Sequence, residues 1–235
     1  MKSSEMILEA IKPYKQNELI LASNLYREKL FGKISEAAFY KSLERMCKSG
    51  ELVKIAKGTY HKPKFAKYGI VPPTEKEIVS AFTENETGTV VGYYLYNTLN
   101  LTTQISKTVH VMSSALDGFS KSIRNVIVHQ VPLEFSPEIK NMVEGLEVLQ
   151  NFNSIQEINY SAFLDYSKKL ASSFEKETFK EVVSAKTYKK STISFLREIL
   201  NFYNVKNNLN EYLSTLSVYK HPRMEELYEF ASVSQ

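Results

Sequence analysis

The 235-residue sequence holds one cysteine, Cys47, and no tryptophan. A lone cysteine excludes an intrachain disulfide, and its place beside Met46 in a helical pattern suits a packed residue better than a reactive thiol. Glycine is scarce, with eight residues and none after Gly145. No Walker-type glycine loop and no GxSxG elbow can be written from them. The four histidines, His61, His110, His129 and His221, fit no HExxH spacing, and one cysteine cannot form CxxC. No N-terminal apolar signal region and no apolar run of bilayer length is found. A cytoplasmic protein without a membrane partner is therefore expected, and one that is neither an enzyme nor a cofactor carrier.

What the chain does have is apolar content and an uneven charge. Hydrophobic residues make up 43% and aromatic residues 12%, enough to build a sizeable core. Residues 1–70 hold fourteen Lys/Arg against seven Glu, a net of +7. The remaining sixteen Lys/Arg and nineteen Asp/Glu give residues 71–235 a net of −3. That split predicts an anionic partner for the N-terminal part and another task for the rest. With no metal-ligand spacing in the basic part, a polyanion such as DNA is the simplest candidate.

The basic charge concentrates in residues 33–67, with nine Lys/Arg and three Glu. Within it, Ser35 is placed to cap a helix whose residues Phe39, Leu43 and Met46 recur at i, i+4, i+7. Gly50 stands where a helix C′ glycine would. Leu52, Val53 and Ile55 then predict a strand, Lys57-Gly58 a turn, and Thr59, Tyr60 and His61 a returning strand. A capped helix running into a basic hairpin has the form of a winged helix-turn-helix. Tyr40, Lys41 and Arg45 would face DNA from the helix. Lys48, Lys54, Lys57 and Lys62 would meet the phosphates, with Ser35 and Thr59 beside them. An ordinary solvated helix and hairpin is the bland alternative.

Taken in order, residues 3–11 predict a first helix capped by Ser3 or Ser4 and stopped by Pro13. Asn17 would cap a second helix reaching about residue 29, with Leu19, Ile20, Ala22 and Leu25 inward. Residues 64–73, with Pro72-Pro73, read as an irregular linker and a domain boundary. Thr74 caps a further helix with Ile78, Val79 and Phe82 inward. Strands are expected at 89–91, 108–112 and 123–131, a short helix at 93–99, and a turn at Asp117-Gly118. His110 and His129 would lie on the sheet surface. From Pro137 onward the pattern is helical, at 137–151, 161–170, 175–188, 192–203, 209–218 and 222–230. The fold expected is α+β, with a winged helix over 1–70, a small α+β unit over 71–135 and an all-helical region over 136–235.

Residues 58–114 carry a likeness. Gly58-Thr59-Tyr60-His61-Lys62-Pro63 is followed by a linker and a helix. Next come Gly92, Leu95, Asn97, Leu99, Leu101, Thr102, Thr103 and Gln104 in one short stretch. This resembles the AbiEi-type antitoxins of type IV toxin–antitoxin (abortive infection) systems over about residues 1–131. Asn100 stands where that family often has glycine, a place that Asn can fill because it tolerates the left-handed region. The helical region matches no motif of the family. The resemblance implies a repressor that binds operator DNA, with possible homo-oligomerisation there. It also implies neutralisation of a toxin with a nucleotidyltransferase fold. Tyr93, Tyr94, Asn97, Thr102, Thr103 and Gln104 would be the partner-binding candidates. Against that, Asn97 and Thr102 can equally cap the helix end and its loop. A protein-interaction module, or a winged-helix regulator without a toxin, is the alternative reading.

Overall fold

The computed structural model describes residues 3–233, with side chains from Ser4 onward. Helix α1 spans Ser3–Ile11 and buries Ile7 and Ile11. Ser4 lies inside its first turn, and the capping role expected of Ser3 lies outside the described side chains.

Residues 17–29 depart from the expected single helix. Leu19–Leu21 is strand β1, followed by a short helix α2, Ala22–Leu25, that runs on as a π-turn over Tyr26–Leu30. Three consecutive apolar residues suit a buried strand as well as a helix face. What decides is a partner ladder far along the chain. Leu19, Ile20 and Leu21 pair antiparallel with His61, Tyr60 and Thr59. Asn17 caps nothing. It takes φ +64 and its N–H donates to the Lys62 carbonyl at 3.0 Å.

Helix α3, Glu36–Lys48, forms as the sequence predicts. Ser35 Oγ accepts the Ala38 N–H, and Phe39 and Leu43 are fully buried. Gly50, at φ +80, ends it. The amides of Glu51 and Gly50 then close on the carbonyls of Met46 and Cys47 at 2.9 and 3.3 Å, which satisfies two of the last orphan acceptors. Strand β2, Val53–Ala56, turns at Lys57-Gly58 into β3, Thr59–His61. The three strands are ordered β1-β3-β2.

Residues 64–73 are not an irregular linker. Lys64–Ala66 and Gly69–Val71 pair antiparallel as β4 and β5, with Phe65 opposite Ile70. Helix α4, Glu75–Thr83, begins at Thr74 with a full capping box. The Thr74 hydroxyl accepts the Glu77 N–H, and the Glu77 carboxylate accepts the Thr74 N–H.

The middle sheet comprises β6 (Gly88–Val91), β7 (Val109–Ser113), β8 (Ser120–Ile123) and β9 (Val126–Gln130), with the short helix α5, Tyr93–Thr98, after β6. Its order is β6-β7-β9-β8, and β7 and β9 run parallel. The one strand expected over 123–131 is thus the end of one strand and the whole of another. Arg124 takes φ +55 between them while its guanidinium donates to the Pro73 carbonyl at 2.8 Å, which anchors the turn from outside.

Helix α6, Pro137–Asn151, is the central helix, with Met142, Val143, Leu146 and Val148 buried. Helices α7 (Tyr160–Ser172), α8 (Lys176–Ala185), α9 (Lys190–Phe202) and α10 (Met224–Val233) follow. The helix expected at 209–218 reduces to a 3-10 turn, Leu209–Tyr212. Its backbone is taken by other side chains. Lys190 Nζ donates to the Tyr212 carbonyl at 2.6 Å, and the Ser214 amide donates to the Tyr219 hydroxyl at 2.9 Å.

The N-terminal unit has an apolar cluster of its own around Ile7, Leu25, Phe39 and Leu43, while two further clusters extend across residues 70/71 and 135/136. On one sheet face, Val109, Val111, Val126 and Val128 pack with Ile78 and Phe82 of α4, and with Leu19 of β1, while Ile55 and Ala56 of β2 close the edge. On the other face, Val91, Met112 and Val131 join the aromatic centre of the helical region, where the Phe152 ring meets Phe163 and Phe195 edge to face. The fold is therefore mixed α+β with a helical C-terminal region. Among the described residues no helix is long and apolar enough to cross a membrane.

Candidate nucleic-acid interface

The solvent face of α3 follows from its buried stripe. With Phe39 and Leu43 inward, the opposite side presents Ala37, Lys41, Glu44 and Lys48 at helical spacing, with Arg45 next to them, all exposed. Among the described residues none of these three cations lies within 4 Å of a carboxylate. Tyr40 is different. Its ring packs edge-on against Phe39 at 5.2 Å, and burial, with Glu36 and Asp117 nearby, pushes its hydroxyl above the ordinary tyrosine value. Tyr40 is a half-buried residue at the margin of this face. Ser35 is committed to its cap.

The β2–β3 hairpin is less free than its sequence suggests. Lys54 and Lys57 are exposed, with Lys57 at the turn. Thr59, expected on the DNA side, is fully buried, and its hydroxyl accepts from Lys121 Nζ at 3.4 Å. Lys62, expected on phosphate, donates from Nζ to the carbonyls of Lys12 and Tyr14 at 2.9 and 2.7 Å. It fixes the chain beyond α1. Burial lowers the Lys121 ammonium first, and Lys57 adds to that, while Asp117 opposes both. Asp117 also lies 3.7 Å from Arg27. Lys121 is a cation beside this hairpin that the hairpin's own sequence does not announce. Only the placement of β8 brings it there.

The second predicted set, on and after α5, is mostly structural. Asn97 Nδ2 donates to the carbonyls of Thr102 and Gln104 at 2.7 and 2.9 Å. Thr102 is buried, donates to the Gln156 carbonyl at 2.7 Å and accepts the Gln104 amide at 3.2 Å. The Tyr93 hydroxyl bonds Ser154 and Gln156. Tyr94 and Thr103 are exposed, and so is Ile105. The segment is thus a braced loop with a small exposed rim.

A polar cluster missed by motif reading lies on the helical side of the sheet. His110 Nδ1 and His129 Nε2 are 3.3 Å apart, with ring planes parallel within 5°. They line a cavity of about 290 Å³ with Tyr93, Tyr96 and the buried Glu147. Glu147 Oε1 sits 3.4 Å from Lys186 Nζ. Burial raises the Glu147 carboxyl against the opposing pull of Lys186, whereas burial, His110 and Lys186 together hold His129 below its usual value. Alternation along β7 and β9 puts both histidines on one face, but only the contacts of α5 and α6 enclose them. Among the described residues no group of three or more His, Cys, Asp or Glu side chains is placed to hold a metal ion.

Residues 6–144 match a family of unknown function, DUF6088. The chain belongs to that family. The matched span takes in the N-terminal unit, the four-stranded sheet and the start of α6, and stops before helices α7 to α10. No curated protein matches the sequence. Among solved structures, the RV2827C protein of Mycobacterium tuberculosis aligns with 84% of this chain and 76% of its own, at 12% identity and a TM-score of 0.37.

Proposed function

We propose that this chain is a DNA-binding antitoxin that represses its own operon and neutralises a partner of nucleotidyltransferase type. In this reading its N-terminal unit is a winged helix and α3 enters the major groove. The observation that carries the DNA half is the α3 face, where Lys41, Arg45 and Lys48 are exposed and free of ion pairs among the described residues. The strand order β1-β3-β2 and the +7 charge of residues 1–70 support it. The toxin half rests on the resemblance of residues 58–114 to AbiEi-type antitoxins, and the exposed rim of Tyr94, Thr103 and Ile105 is the surface offered for it.

The contacts divide by readout. Lys41, Lys48 and Lys57 meet phosphates, and Arg45 reaches a base edge. Lys57→Ala weakens binding to all duplex sequences alike and reduces the salt slope by about 0.9 in log K against log salt. Arg45→Ala relaxes sequence preference. Titration of labelled duplexes at several salt concentrations reads both, and unchanged slope and preference would remove α3 and the hairpin turn from the interface. Coexpression with the product of the adjacent gene tests the other half. Copurification that survives nuclease is expected, and its absence sinks the toxin-binding role.

A further inference from the structure

Residues 64–70 are exposed without a break. They form an antiparallel hairpin whose turn is Lys67-Tyr68. Phe65 and Ile70 face each other across the ladder and are 69% and 48% exposed, while Tyr68 at the turn is 92% exposed. A two-stranded hairpin alone in water is marginally stable, and an uncovered aromatic–aliphatic pair on it gains little from the fold that carries it. Such a pair belongs against a partner surface.

Charge selects the partner. From residue 52 to residue 74 there are five lysines and no Asp or Glu. Lys64 stands at the base of the hairpin and Lys67 at its tip, with Lys67 Nζ 5.5 Å from the Tyr68 ring. Apolar side chains between unopposed lysines match a polyanion with stacked, flat interior surfaces. Position narrows it further. The hairpin leaves β3 through Pro63, which lines one pocket with Met46 and Glu51 at the C-terminal end of α3. In the DNA-binding reading proposed above, a duplex lying along α3 runs on past the C-terminal end of the helix, beside this root. The minor groove, about 6 Å wide, is too narrow for a two-stranded ribbon but admits single side chains.

We propose that the β4–β5 hairpin is a second DNA-contacting element that wedges Phe65 and Tyr68 into the minor groove flanking the α3 site. Lys64 and Lys67 hold the phosphates on either side. This rests on the DNA-binding reading above and adds a different groove, a different mode of contact and a bend in the DNA.

The test uses the full chain and a mixed-sequence duplex at low salt, where any duplex-binding protein is retained. One strand carries 2-aminopurine, whose fluorescence rises on unstacking. Phe65→Ala/Tyr68→Ala is expected to lose about tenfold in affinity and the fluorescence rise, with an unchanged melting temperature because both side chains are exposed. Lys64→Gln/Lys67→Gln is expected to lower the salt slope by about 1.8. Wild-type affinity and fluorescence in the aromatic variant, with binding still weakened by Lys41→Ala/Arg45→Ala, overturns the wedge and leaves α3 in place. Loss of a copurifying protein without loss of DNA binding also overturns it and assigns the hairpin to a protein partner. If the wild-type chain binds no duplex at low salt, the DNA reading falls and the wedge with it.

Discussion

Lys62 carries its charge in the most basic stretch of the chain and uses it internally. Both hydrogen bonds of its ammonium go to carbonyls just past α1, so it joins the end of that helix to the sheet. Lys62→Ala is expected to cost about 1 to 2 kcal/mol of stability by urea unfolding, while the salt slope for duplex binding stays as it is. A fall in slope without loss of stability would return Lys62 to the DNA. His129 predicts a pH effect. Its pKa is held below the ordinary 6.5, so it binds protons more readily in the unfolded chain. The stability this gives is present above pH 6.5 and lost as pH falls through the lower folded value. Burial also holds His61 low, so His129→Gln should flatten only part of that loss. Urea midpoints measured across that pH range for both proteins decide it, and identical profiles would mean His129 does not contribute. Neither role is legible from residue type. A lysine is read as phosphate-binding and a strand histidine as exposed until long-range partners are known.

Elements were legible where local chemistry alone closes them. Thr74 and Glu77 form a capping box from four consecutive residues, and Ser35 and Gly50 bound α3 in the same self-contained way. Thr74→Ala should therefore cost about 1 kcal/mol, seen as a lowered melting temperature, and a neutral result would mean that α4 is held by packing alone. Elements that depend on distant partners were not legible. Leu19–Leu21 is a strand only because β3 lies alongside, and the Arg124 turn is held by the Pro73 carbonyl. The 209–218 segment has apolar residues at helical spacing, but Leu216 is 95% exposed and the backbone is bound by Lys190 and Tyr219.

Beside the N-terminal unit's own cluster, the whole molecule is joined by two shared cores. β1, β2 and α4 bury one face of the central sheet, and α5 and α6 the other, so the sheet is the middle layer between two apolar clusters. Residues 1–70 alone would expose Leu19, Ile55 and the buried Thr59. That fragment is expected to melt without a cooperative transition by circular dichroism, whereas the full chain shows one. A cooperative transition in the fragment would establish it as an independent unit.

Local chemistry along the chain is enough to give the helical C-terminal region, the capped α3 with its cationic solvent face, and the concentration of positive charge before residue 71. These depend on periodicity, caps and composition, which act over a few residues. Long-range packing alone settles that Thr59 and Lys62 serve the fold, that Lys121 stands by the β2–β3 hairpin, and that residues 64–71 form an uncovered ladder. Each of those depends on which distant groups share a surface. Hydrogen-bond satisfaction and burial across the whole chain settle that, and no local pattern encodes it.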